Sequence, residues 1–152
     1  MTHIKNIKLI EELISPSDLQ KMDAGAAMHL HHSRIEFKVL DADQDAITVR
    51  VTQGKSPAEN YLSAKELAAR AKDLFGYFIP GVDIRARAIP YAPPSVEVVS
   101  PEWIQNQMRE KGIDNKTIVE MTGVDKANIS NWVSGKRPMS QPVKAMFYFM
   151  LK

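Results

Sequence analysis

Cysteine is absent from this chain of 152 residues, which excludes disulfides and thiolate chemistry. No apolar run approaches the ~20 residues that a membrane-spanning helix needs. The opening segment MTHIKNIKLIEELI carries acids within its apolar stretch and has no small-residue cleavage site. It therefore does not read as a signal peptide, and the default expectation is the cytoplasm. Internal repeats and low-complexity tracts are lacking. So are a glycine-rich phosphate loop, a GxSxG elbow and an HExxH pair. Acid pairs such as Glu11-Glu12 have no evident partner, so no enzyme activity and no cofactor are expected. Charge of one sign is also scarce, since the formal net charge is only +2, too weak by itself to argue for nucleic acid.

What is present is a globular composition, 44% hydrophobic and 25% charged, with length for one ordinary domain or two small ones. Ile7, Ile10, Leu13 and Ile14 repeat at helical spacing, and Ser15-Pro16 reads as a fresh helix start. Leu19, Met22 and Ala26 continue a weak apolar face. Ile35, Phe37 and Val39 then alternate with Arg34, Glu36 and Lys38; after the polar turn Asp41–Asp45, Ile47, Val49 and Val51 alternate with Thr48, Arg50 and Thr52. Two such runs predict a hairpin with one wet face. Ser63 and Glu66 form a capping box that opens a helix with Leu67, Ala71, Leu74, Phe75 and Phe78 on one stripe, closed by Gly76 and Pro80-Gly81. Val82, Ile84, Ala86 and Ala88 predict a third strand.

The N-terminal part, residues 1–92, is thus expected to be an α+β domain of order α-β-β-α-β, a small antiparallel or mixed sheet with helices on one face. Pro93 and Pro94 fall in a linker over 93–99. Residues 100–152 read as an all-α domain of four helices, starting at Ser100-Pro101, Asp114, Asp125 and Ser140 and ending at Gly112 and Gly135 for the first and third. Tyr148, Phe149 and Leu151 widen the apolar face of the last helix beyond one stripe, which is expected to pack on the N-terminal domain or fray; a dimer contact is the alternative.

The most informative stretch is NKTIVEMTGVDKANISNWVSG, Asn115 to Gly135. Gly123 supplies a sharp turn between two short helices, Asp125 caps the second, and Ile129 and Trp132 share its buried face. That leaves Lys126, Ala127, Asn128, Ser130 and Asn131 outward, a polar face with two amides able to address base edges. From Val99 onward the chain carries eight basic against five acidic residues, so the positive excess falls on this part.

With Gly123, Val124, Ile129, Trp132 and the Gly135-Lys136-Arg137-Pro138 exit in place, the segment resembles the helix-turn-helix of lambda-repressor-like (Cro/XRE) DNA-binding domains. Val119 departs from the small residue that the family places under the turn. The resemblance covers about the last third of the chain. It implies a sequence-specific double-stranded DNA-binding protein, a transcriptional regulator, whose second helix enters the major groove. Lys126, Ala127 and Asn131, with Asn128 and Ser130 nearby, would face bases; Asn115, Lys116, Lys136 and Arg137 would hold phosphates. A homodimer is expected, since one reader helix spans few base pairs, and the N-terminal domain would serve dimerisation, sensing or a protein partner. The alternative is an antitoxin-like interaction protein with an autoregulatory DNA-binding domain.

Two further features carry less. His29, His31 and His32 are close, and His29 and His31 would share a face if extended, yet no acid or cysteine nearby completes a metal shell, so no metal is expected. Arg34, Lys38, Arg50, Arg85 and Arg87 stand on the wet face of the predicted sheet beside Glu36 and Asp83. Cross-strand charge pairing is the expected role, with RNA binding a third option for the chain, although the paired aromatics that stack bases are missing.

Overall fold

The computed structural model describes all residues, Met1–Lys152. It is a mixed α+β fold with one three-stranded sheet. The chain divides into two compact units, Met1–Ala92 and Pro93–Lys152.

In the first unit a 3-10 helix, Ile7–Leu13, precedes α1 (Pro16–Ser33), β1 (Ile35–Ala42), β2 (Ala46–Gln53), α2 (Ala64–Phe78) and β3 (Asp83–Ile89). Ile7 and Ile10 are the buried residues of the 3-10 helix, three apart as its repeat requires, while Ile14 is already extended. The α1 helix starts where Ser15 Oγ accepts from Asp18 N–H at 3.2 Å, with Pro16 in the first turn. It persists through the three histidines. His29 Nδ1 bonds the Gly25 carbonyl at 2.8 Å and its ring meets Phe37 edge-on, while the rings of His31 and His32 lie edge to face. The extended, face-sharing arrangement considered for His29 and His31 does not occur, because α1 continues past them. No group of three or more His, Cys, Asp or Glu side chains is placed to hold a metal ion.

The β1–β2 turn is tighter than Asp41–Asp45. Asp43 Oδ1 accepts from Asp45 N–H at 2.7 Å and Ala46 N–H at 2.8 Å, an Asx turn that closes the hairpin. The sheet order is β1-β2-β3, with β1 antiparallel and β3 parallel to the central β2, so α2 is the crossover between parallel strands. The Ser63–Glu66 capping box is formed, each side chain accepting from the other's backbone N–H. Gly76 does not end α2, which runs two residues beyond it. Glycine lowers helix propensity by only ~1 kcal/mol, and the buried stripe Leu67, Ala71, Leu74 and Phe75 outweighs it. Those residues join Met22 and Ala26 of α1 and the inward side chains Ile35, Phe37, Val39, Ile47, Val49, Val51 and Ile84 in one core. Both helices therefore lie on one face of the sheet.

The loop after β2 is tied down by Gln53, a buried polar side chain. Its Nε2 donates to the Ser33 carbonyl at 2.9 Å and the Asn60 carbonyl at 3.1 Å, and its Oε1 accepts from Leu62 N–H at 2.9 Å. Ser56 donates to Asn60 Oδ1 at 2.6 Å, and Asn60 Nδ2 reaches Ser33 Oγ at 2.7 Å. The sequence pattern marked this stretch only as a loop.

The second unit holds a short 3-10 turn, Ser95–Val98, and four helices: α3 (Pro101–Lys111), α4 (Asn115–Thr122), α5 (Lys126–Ser134) and α6 (Gln141–Leu151). Ser100, Asp114 and Asp125 cap the first three through side-chain oxygens, and Gly112, Gly123 and Gly135 end them with positive φ. Ser140 sits at the start of α6 but makes no side-chain cap bond. Val99, Ile104, Ile118, Ile129, Val133, Phe147 and Leu151 form the core. On α6, Leu151 is inside this core and Tyr148 stacks on Trp103 at 6.2 Å. Those two residues are thus used within their own unit; Phe149 is exposed, at 65%. No helix is long and apolar enough to cross a membrane.

Candidate nucleic-acid interface

The site is built on α4, the turn Gly123-Val124-Asp125, and α5. Gly123 adopts φ 68° and its N–H closes back on the Val119 carbonyl at 2.9 Å. Here a left-handed backbone is required, and only glycine adopts it without strain. Thr122 adds a bracket that spacing alone does not disclose. Its Oγ1 donates to the Ile118 carbonyl at 2.7 Å and accepts from Val124 N–H at 3.1 Å, fixing the exit of α4 relative to the turn. Val119 is half-buried beside it.

The α5 helix is anchored at both ends. Asp125 accepts from Ala127 N–H at 3.1 Å. At the other end Gln105 of α3 donates to the Val133 carbonyl at 2.8 Å, and Gly135 lies beside Pro101, where an added Cβ would be in ordinary contact at 3.4 Å. The inward face of α5 is carried by Ile129 and Val133, four apart. Trp132 is only half-buried and meets Phe147 edge-on at 6.4 Å. Ile129 and Trp132 thus face the same core as expected, with Trp132 at its edge, and Val133 lies deeper because i and i+4 are closer to one face than i and i+3.

That phase decides what faces outward. Lys126, Ala127 and Ser130 are exposed, whereas Asn128 and Asn131 are half-buried. Asn128 Oδ1 accepts from Arg137 Nη1, and the Asn131 carbonyl accepts from Arg137 N–H at 3.1 Å, so the exit loop is folded back onto α5. Arg137 meets a neutral amide there, which orients its guanidinium without cancelling its charge. Lys136 is exposed. No acid lies within α5.

At the start of α4 the picture differs from a free helix N-terminus. Asp114 accepts from both Thr117 N–H and Thr117 Oγ1 at 2.8 Å, and these bonds hold its carboxyl below the ordinary value. A carboxylate thus already occupies the place where the helix would receive a phosphate. Asn115 Oδ1 is shut off from solvent with no partner, while Lys116 is exposed. Of the two residues at this end, only Lys116 carries a cation, and it is exposed. No protein-family model, no curated protein and no solved structure matches this chain.

Proposed function

We propose that the chain is a sequence-specific double-stranded DNA-binding protein acting as a transcriptional regulator, with α5 as the helix that enters the major groove. The observation that carries this reading is α5 itself: a short helix pinned at both ends, free of acid, with Lys126, Ala127 and Ser130 exposed and Arg137 bonded to Asn128 beside them. A short helix that presents an ammonium, a methyl and a hydroxyl group meets the requirements of base-edge contact, and an adjacent uncompensated guanidinium meets those of phosphate contact. Asn131 is the candidate for a bidentate bond to adenine and Lys126 for guanine; Ala127 fits a thymine methyl. Lys116, Lys136 and Arg137 supply positive charge to the backbone, with Asn115 beside Lys116. A homodimer reading two half-sites about 34 Å apart extends the reading to an operator of useful length. Selection of bound sites from random duplexes with the full chain tests it. Convergence on one motif, repeated with inverted symmetry, is the expected outcome; a pool that does not enrich removes the proposal.

A further inference from the structure

The open face of the N-terminal sheet holds a row of cations that strand alternation alone does not align. Lys38 of β1 is opposite Arg50 of β2, and Arg50 is opposite Arg87 of β3. A parallel bridge sets Lys5 beside Lys38 at the near edge. At the usual strand spacing this row of four spans ~14 Å. Among β1, β2 and β3 the expected cross-strand ion pairs are not formed. Lys5 pairs with Glu36 at 2.8 Å and Arg85 with Asp83 of its own strand at 3.0 Å, while Lys38, Arg50 and Arg87 have no ion pair. Arg50 Nε is closed off from solvent and has nothing to donate to. Asp41, opposite Thr48, is the remaining acid on this face. Like charges abreast destabilise a sheet, so three uncompensated neighbours stand as a cost that an anionic partner removes.

We infer that this face grips the phosphodiester backbone of duplex DNA without reading its bases, an inference that rests on DNA binding by the second unit. The chemistry of the face selects this partner. Its centre is Lys38, Arg50 and Arg87 flanked by Thr48 and Thr52, all phosphate donors, with Ile89, opposite Thr52, an exposed apolar residue at the margin; the core of a protein interface is by contrast depleted in charge and built on apolar anchors. It carries no aromatic ring on which an unpaired base stacks. A shallow cleft of about 310 Å³, lined by Arg34 and Lys55 with Glu36 and Thr52, continues the basic surface at one end.

The test is full-chain binding, read by fluorescence anisotropy across a salt series, to a selected duplex and to an unrelated one. The variant Lys38→Gln/Arg50→Gln/Arg87→Gln is expected to weaken binding to both by the same factor. It should also make the slope of log K against log salt shallower by ~2–3, from about 0.9 per phosphate contact. Its melting temperature should hold or rise as the repulsion is relieved. Should the triple variant not fold, Lys38→Gln/Arg87→Gln leaves Arg50 in place and is expected to lower the slope by ~2. A folded variant with an unchanged slope overturns the inference while leaving the α5 reading intact, provided the wild type still separates the two duplexes. A wild type with no affinity for either duplex ends both. Tighter binding to single-stranded RNA or to polyglutamate than to duplex, lost in the same variant, also overturns it.

Discussion

Arg137 donates its guanidinium N–H to Asn128 Oδ1 across nine positions of chain, joining the exit loop to the body of α5. An amide in that position has two possible duties, and they are separable. If Asn128 serves to aim Arg137, Asn128→Ala weakens binding on every duplex alike and leaves base preference unchanged. The double variant Asn128→Ala/Arg137→Ala is then no worse than Arg137→Ala alone, the non-additivity expected of two residues acting as one unit. Relaxed preference at one base pair in Asn128→Ala would instead assign the amide to base reading.

Asn131 is the sharper test of base reading. Asn131→Ala is expected to cost ~1–3 kcal/mol at the selected site and to relax preference at one position. Lys136→Ala should lower affinity on all sequences and flatten the salt dependence by about one unit of slope. Competition gel shifts with single-position variants of the site distinguish the two patterns.

Gln53 should matter to stability more than its place at the end of a strand suggests. Replacing it with leucine strands the Ser33 and Asn60 carbonyls and the Leu62 N–H at a position only 5% exposed. Loss of such buried partners costs ~2–3 kcal/mol, read as a lower urea midpoint at unchanged m-value. A midpoint within error of wild type would show that water or a loop shift replaces all three bonds.

Acid should unfold the chain through a small set of carboxylates. Burial raises the Asp23 carboxyl, but bonds from Ile4 N–H, the His3 ring and His3 N–H outweigh it and bring the group below its ordinary value. Asp43 is lowered by the N–H groups of Ala46 and Asp45, and Asp114 by Thr117. Each therefore binds fewer protons folded than unfolded between its two pKa values. Their stabilisation is complete above the ordinary aspartate value of ~3.9 and is lost as pH falls through the lower folded values. Urea midpoints taken from pH 5 downward should fall most steeply below about pH 4, and Asp23→Asn should flatten that fall. An equally steep fall in the variant would assign the acid transition to other groups.

Much of the local structure was legible in the residues because its causes act within one turn of chain. Ser15, Ser63, Ser100, Asp114 and Asp125 bond N–H groups two or three residues ahead, and Gly112, Gly123 and Gly135 stand where a left-handed backbone closes a helix. Strand alternation likewise told which side chains of β1, β2 and β3 point inward. Such features depend on spacing and side-chain type, both present in the sequence.

Other features wait on which distant segments meet. Whether Trp132 or Val133 completes the buried face of α5 depends on where Phe147 and Ile104 arrive, and spacing of three or four permits either. The parallel pairing of β3 with β2, and the register that sets Lys38, Arg50 and Arg87 abreast, follow from the crossover through α2 and from the summed packing of the core. The Arg137–Asn128 and Gln53–Leu62 bonds need a loop folded back on an earlier element. Composition and periodicity determine what each segment is, because those forces are local. Which charges and amides end up side by side is decided by register and by helix phase, properties of the whole packed chain that no single segment contains.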